Sequence, residues 1–286
     1  MTTEDLLKKV HRIEIKAKKL SQEVFAGQYH SAFKGRGMTF SQVREYIYGD
    51  DIRNIDWNVT ARSNHPYIKV YEEERELTVM LVIDVSGSTL FGSGNALKTE
   101  VITEIAAVLS FSAIHNNDKV GVILFSDKVE KYIPPKKGSS HILRIIRELL
   151  QYRQESCLTD FSCGLIFLNN VIKKRSTCFL ITDCFGRFDD SLQIVARKHD
   201  MCAVLVNDAK EYELPEMGMV QFKDTETGQT LWIDTDSRAT REAFAMERRT
   251  REEENIAKLN KYGVDTVKVL CGEDYIKQLT KLFAMR

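Results

Sequence analysis

The chain has 286 residues, 43% hydrophobic and 29% charged, and its 41 Lys plus Arg balance 41 Asp plus Glu to a formal net charge of zero. That is the composition of a globular protein with room for one large domain, or one domain with an appendage. The balance offers no global field to draw nucleic acid or an anionic membrane. No run of 18 apolar residues would span a bilayer, and the first residues lack the apolar stretch of a signal peptide.

A cytoplasmic protein is therefore expected. Its six cysteines, Cys157, Cys163, Cys178, Cys184, Cys202 and Cys271, are scattered with no Cys-x-x-Cys pair and read as buried free thiols of a reducing compartment.

In chain order, residues 3–25 carry Leu6, Val10, Ile13, Ala17, Leu20 and Val24 at helical spacing. That apolar stripe needs a cover, either the rest of the chain or a partner. Residues 26–75 change character: Gly27, Gly35, Gly37 and Gly49 punctuate short aromatic or β-branched pieces, which predicts turns and short strands. Arg44, Asp50, Asp51, Arg53, Asp56 and Arg62 gather there around Tyr46 and Trp57, as in a structural ion-pair network.

From residue 77 the pattern is regular. Leu77–Asp84 is a nearly continuous apolar run, as in a strand covered on both faces. A helix over Asn95–His115 follows, with Leu97, Val101, Ile105, Val108 and Leu109 on one stripe. Lys119–Phe125 is the next strand, and Val129–Ile133 is a short edge strand ended by Pro134-Pro135. Helices are predicted from Ser139 to about Tyr152, from Asp160 to about Ile172 and from about Asp190 to Lys198, alternating with strands Thr177–Thr182 and Met201–Asn207.

Residues 208–237 suggest a hairpin turning at Thr227-Gly228, and 238–262 a very charged helix whose thin apolar stripe is Phe244, Met246, Ile256 and Leu259, mostly a solvated face. Val264–Leu270 and Asp274–Phe283 close the pattern as strand and helix.

Such alternation implies parallel crossovers, so the expected fold class is α/β, a doubly wound, mostly parallel, Rossmann-type sheet. The expected division is residues 1–76, a helix plus Gly/Asp/Arg-rich β region, then 77–286, the α/β domain with an insertion at about 208–262 before its last strand.

The strongest chemical signal is Asp84-Val85-Ser86-Gly87-Ser88, directly after the first buried strand. Ligands of open α/β sheets bind beyond the carboxyl ends of strands. One carboxylate and two hydroxyls at alternate positions converge when the loop turns tightly, and such hard oxygen donors suit Mg²⁺, Mn²⁺ or Ca²⁺ rather than zinc or copper. Leu158-Thr159-Asp160 precedes a helix and Ile181-Thr182-Asp183 ends a central strand, placing both on the same edge. The plainer alternative makes Ser86 and Ser88 turn formers and Thr159 a helix cap.

Asp84, Ser86, Ser88, Thr159 and Asp183 resemble the metal-ion-dependent adhesion site of von Willebrand factor A domains. The resemblance implies that the three hydroxyls hold the ion, Mg²⁺ foremost, that the two aspartates act directly or through water, and that an acidic partner group completes the shell. Ser31–Gly37, Phe40, Arg44-Glu45-Tyr46, Gly49–Trp57, Thr60-Ala61-Arg62, Lys69–Arg75, Pro134–Gly138 and His141 are similar to the domain-of-unknown-function fifty-eight family. That likeness covers nearly the whole chain and implies a cytosolic adaptor or co-chaperone of a MoxR-type AAA+ ATPase, a binding protein rather than an enzyme.

Two other functions compete. A metal-dependent hydrolase or phosphotransferase would use Asp84 as nucleophile, but Ser86 stands where a phosphatase of the haloacid-dehalogenase type needs a second acid, and His65, His115, His141 and His199 lie away from the metal motifs. A self-assembling structural protein would use the N-terminal stripe. Gly35-Arg36-Gly37 and Gly92-Ser93-Gly94 complete no nucleotide-binding fingerprint and read as turns.

Overall fold

The computed structural model describes residues 3–22, 29, 39–63, 65–72, 76–90, 97–152, 156, 158–184, 186, 188–223 and 230–286. Val24, the glycines of 27–37 and 92–94, Cys157 and the Thr227-Gly228 turn lie outside them. The chain divides into two compact units, Met1–Phe33 with Thr78–Arg286, and Lys34–Leu77. The N-terminal helix therefore groups with the α/β unit rather than with the short-strand region that follows it, because its apolar stripe is spent on that unit's helices.

The elements are α1 (Thr3–Leu20), β1 (Thr39–Glu45), α2 (Trp57–Ser63), β2 (Tyr67–Glu72), β3 (Thr78–Asp84), α3 (Lys98–His115), β4 (Lys119–Phe125), β5 (Val129–Lys136), α4 (Ser139–Gln151), α5 (Phe161–Val171), β6 (Thr177–Thr182), α6 (Ser191–Lys198), β7 (Asp200–Asn207), β8 (Met219–Lys223), β9 (Thr230–Asp234), α7 (Arg238–Lys261), β10 (Asp265–Leu270) and α8 (Tyr275–Ala284).

The larger unit is built on a six-stranded sheet in the order β10-β7-β6-β3-β4-β5. Every neighbouring pair is parallel except β4 with the edge strand β5. This is the doubly wound α/β class that the alternating pattern predicts, with the order reversing beside β3. The edge position explains how β5 keeps Pro134 and Pro135, whose missing N–H groups would break an interior ladder.

Alternate residues of β3 face opposite layers. Met80 and Val82 join Ile123, Phe125, Phe161, Leu165, Leu180, Leu192 and Leu205 in one core that includes residues of α5, α6 and, through Leu259, α7. Val79, Leu81 and Ile83 are equally buried, and α3 lies against β3, β4 and β7.

The helix α3 is buried almost all round, from Val101 to Ala113, rather than on one stripe. Its second cover is α1, which also reaches α4. Leu6, Val10, Ile13 and Ala17 are buried there, and Lys9 and Lys16 pair with Glu100 and Glu104 of α3. The stripe of α1 thus packs on its own chain. Leu97, expected on the α3 stripe, instead caps the helix and stands 45% exposed.

Gly164 of α5 lies against the Phe125 ring: a Cβ there would sit 2.7 Å from Cγ. Phe125 is itself packed edge-on to Phe161, so the ring has little room to yield. Overpacking of this kind costs about 1–3 kcal/mol, offset by about 1 kcal/mol of helix preference for alanine. Gly164→Ala is therefore expected to lower the urea midpoint at unchanged slope; an unchanged or raised midpoint contradicts this close approach.

The predicted 208–237 hairpin is present as β8 and β9, antiparallel from Met219↔Asp234 to Lys223↔Thr230. The long charged helix α7, however, buries the predicted apolar stripe only toward its C-terminal end, where Leu259 is buried and Ile256 packs against the core. Met246 is exposed, and the buried positions are Arg248, Glu252, Asn255 and Leu259. They recur at helical spacing, but three of the four are polar, so a search for apolar periodicity misses the face.

The smaller unit pairs β1 with β2 antiparallel, with an irregularity between Phe40 and Gln42. Part of the expected ion-pair network is present: Arg44 donates to both Asp50 carboxylate oxygens at 2.8 Å, and Lys69 lies 3.6 Å from Asp56. The pair holds Asp50 below its ordinary range, Arg44 being the leading cause. The network does not enclose Trp57, which is 70% exposed. Trp57 instead opens α2, a helix the turn-rich pattern did not suggest, started by Asp56 accepting from the N–H groups of Asn58 and Val59.

Candidate metal centre at the sheet rim

β3 ends at Asp84, and the parallel register sets Asp84 opposite Phe125 of β4 and Ile83 opposite Ile181 of β6. The carboxyl ends of three strands thus meet where the sheet order reverses. Asp84 is fully buried. One of its oxygens accepts from the Ser86 N–H at 2.9 Å, which folds the loop back over the strand end. The other accepts from the Thr182 hydroxyl at 2.9 Å, tying β3 to β6. The Ser86 and Ser88 hydroxyls lie 3.2 Å apart, so the two predicted oxygen donors of this loop do converge.

Asp183 follows Thr182 and is also buried. Burial first, then the Asp183 charge, push the Asp84 carboxyl up to about 7 from its ordinary 3.8. The two carboxylates of the predicted set therefore feel one another in a dry setting, which a bound cation would relieve. Thr159 reaches the same rim by a different route. The N–H of Asp160 donates to the Ser126 carbonyl at 2.9 Å, and Ser126 directly follows Phe125. The cap of α5 is Asp160, whose side chain accepts from the Ser162 N–H at 2.9 Å, so Thr159 does not serve as the cap. Thr159 is half-buried beside it, and no bond draws its side chain to Asp84 as it draws Thr182.

Sequence reasoning missed the residues that hold Asp183. The Lys98 ammonium, 0% exposed at the start of α3, donates to an Asp183 carboxylate oxygen at 2.9 Å and also to Glu211. Burial alone would lower its pKa, but Asp183 and Glu211 outweigh it and hold Lys98 protonated above its ordinary value. A cation in the first turn of a helix opposes the helix dipole, so this placement needs its two anions. Glu211 is fixed in turn by accepting from the Asp208 N–H at 2.9 Å in a capping box.

The Asp183 carbonyl accepts from Asn207 at 3.0 Å and from Arg248 at 3.3 Å. Asn255 donates to the carbonyls of Cys184 and Gly186, and Lys258 to that of Phe188. The polar face of α7 is thus the clasp on the loop after β6. Cys184, in the left-handed region at φ 64°, marks the sharp turn this clasp holds. A visible signal was available in the sequence: a lone lysine opening an otherwise apolar helix, and Arg248, Glu252 and Asn255 at helical spacing.

Among the described residues no cluster of three or more His, Cys, Asp or Glu forms a cation site. A cation at this rim would rest on carboxylate and hydroxyl oxygens together. Asp84, Ser86, Ser88 and Asp183 supply such a set, with the hard donors that Mg²⁺, Mn²⁺ or Ca²⁺ take. The donor chemistry therefore fits the group the sequence implies. Of the cysteines, Cys178, Cys184 and Cys202 are buried free thiols and Cys163 and Cys271 are half-buried. Among the described residues no helix is long and apolar enough to cross a membrane.

The chain belongs to the DUF58 family of proteins of unknown function, whose model matches residues 42–254. An uncharacterized protein of Mycobacterium bovis is 25% identical over 278 residues, covering 96% of this chain and 87% of its own length, and one of Mycobacterium tuberculosis matches equally. Among solved structures, the conserved hypothetical protein BatB of Bacteroides thetaiotaomicron aligns over 73% of this chain and 98% of its own at 14% identity, TM-score 0.48. The SpRpn10 VWA domain aligns over 74% and 96% at 10% identity, TM-score 0.42.

Proposed function

We propose that this chain is a metal-dependent adaptor that binds one divalent cation at the rim and presents it to an acidic group of a protein partner. Ser86, Ser88 and Thr159 offer hydroxyls to the ion, and Asp84 and Asp183 neutralise it directly or through water. Mg²⁺ is the first choice for such oxygen donors, with Mn²⁺ or Ca²⁺ as substitutes. The ion supplies a positive anchor at an open coordination position. The chain's own residues shape the loop, hold Asp183 and keep the strand ends dry.

The observation that carries this reading is the crowding of Asp84 and Asp183 in a fully buried setting beside two convergent hydroxyls. Crowding of this kind raises the free energy of the metal-free rim, and a divalent ion relieves it. The reading is of a binding protein, not an enzyme. The partner is a MoxR-type AAA+ ATPase with its client, in the cytoplasm; this rests on the family resemblance.

Calorimetric titration with Mg²⁺ and Mn²⁺ should give one site in the native protein and no measurable uptake in Asp84→Asn. Equal uptake by both proteins contradicts the site. Capture of purified MoxR-type ATPase on the immobilised chain should succeed with Mg²⁺ and drop to background with EDTA; equal recovery contradicts a metal-mediated contact.

A further inference from the structure

We propose that Lys98 is a built-in counter-cation that limits how tightly the rim holds a divalent ion, with Glu211 setting how much of its charge Asp183 receives. The inference rests on the metal reading above and concerns its regulation. Its ground is the arrangement of one buried ammonium between two carboxylates, bonded to Asp183 at 2.9 Å and to Glu211. Asp183 is one of the two carboxylates that would neutralise the ion, and one of its oxygens is already engaged by a permanent positive charge.

Lys98 is fixed in place. It is fully buried at the first turn of α3, whose body is packed between the sheet and α1, so the ammonium cannot swing out to solvent. Glu211 is equally constrained, because its second oxygen accepts the Asp208 N–H at 2.9 Å. An incoming dication therefore meets Asp84 and Asp183 with a second, immobile cation already on Asp183. In a partly dry rim a unit charge several Å away is felt strongly. The consequence is a moderate rather than tight site, whose affinity is graded by two residues that do not reach the ion.

A purely structural role for the pair predicts that every disruption weakens binding. The charge role predicts opposite signs. Mn²⁺ alone, titrated by calorimetry at pH 8 into the full chain, separates the two. Glu211→Gln leaves more of the Lys98 charge to Asp183 and should weaken Mn²⁺ several-fold. Lys98→Met removes the opposing charge and should tighten Mn²⁺ about tenfold. The double variant, which restores the original net charge, should return near the native affinity.

If Lys98→Met fails to fold, the double variant keeps the test decisive, because a structural role expects weakened binding there and the charge role near-native affinity. Unchanged or tighter binding in Glu211→Gln, or weaker binding in a folded Lys98→Met, overturns the proposal while native uptake leaves the site standing. No uptake in any of these proteins overturns both.

Discussion

In EDTA above pH 7, Asp84→Asn should be more stable than the native protein by about 2–4 kcal/mol, although it loses the proposed function. The reason is the buried setting of Asp84, which lifts its carboxyl from 3.8 in the unfolded chain to about 7 in the fold, burial leading and Asp183 adding. A group with a raised folded pKa stabilises the fold only while it is protonated. Between these two values the unfolded chain has released its proton and the folded protein has not, so native stability falls as pH rises through that window. Above it the full penalty of a charged, dry carboxylate remains.

Asparagine carries no charge, and its side chain still accepts from Ser86 and faces Thr182. Urea unfolding of both proteins at pH 4 and pH 8 measures the effect. The gap should be largest at pH 8 and close toward pH 4. A gap independent of pH, or a less stable variant at pH 8, contradicts the burial argument. Adding Mg²⁺ at a hundred times its dissociation constant should return about 2.7 kcal/mol to the native protein and nothing to the variant.

Lys98→Met is the most damaging single change expected, at about 3–5 kcal/mol. That is a large share of the roughly 5–15 kcal/mol that holds a typical domain folded. The loss comes less from the bonds themselves than from what they leave behind: Asp183 and Glu211, both buried, with their shared ammonium gone. Because the Lys98 pKa is raised in the fold, its contribution is complete below its ordinary 10.5 and is lost only as pH rises beyond that value.

Adding Glu211→Gln to Lys98→Met should recover part of the loss, since one stranded carboxylate disappears. A double-mutant cycle reads this coupling directly. Additive losses would mean that the ammonium and Glu211 act independently, against the geometry.

The main sheet was legible because its fully buried strands are short, β-branched-rich apolar runs that alternate with longer helical segments. Thr78–Asp84 and Thr177–Thr182 are unbroken apolar runs that stop at an aspartate or a threonine–aspartate pair. The rim residues were legible for the same reason: a polar group where an apolar run ends has been placed at the sheet edge by the strand itself.

The α7 face was not legible, because Arg248, Glu252 and Asn255 are buried for the sake of backbone carbonyls on the loop after β6, not for apolar area. Nor was the cover over α3, since a stripe on α1 shows that it must be buried and not against what.

Local pattern, then, determined the strands and helices of the larger unit, their α/β alternation and which side chains stand at the strand ends. Those follow from covalent neighbours and from the period of burial, which a single chain records. Only the tertiary structure decided that a lysine from one helix start and a glutamate 113 residues further on would share one aspartate. Charge pairing across such separations depends on the distance between elements after packing, and no spacing along the chain encodes it.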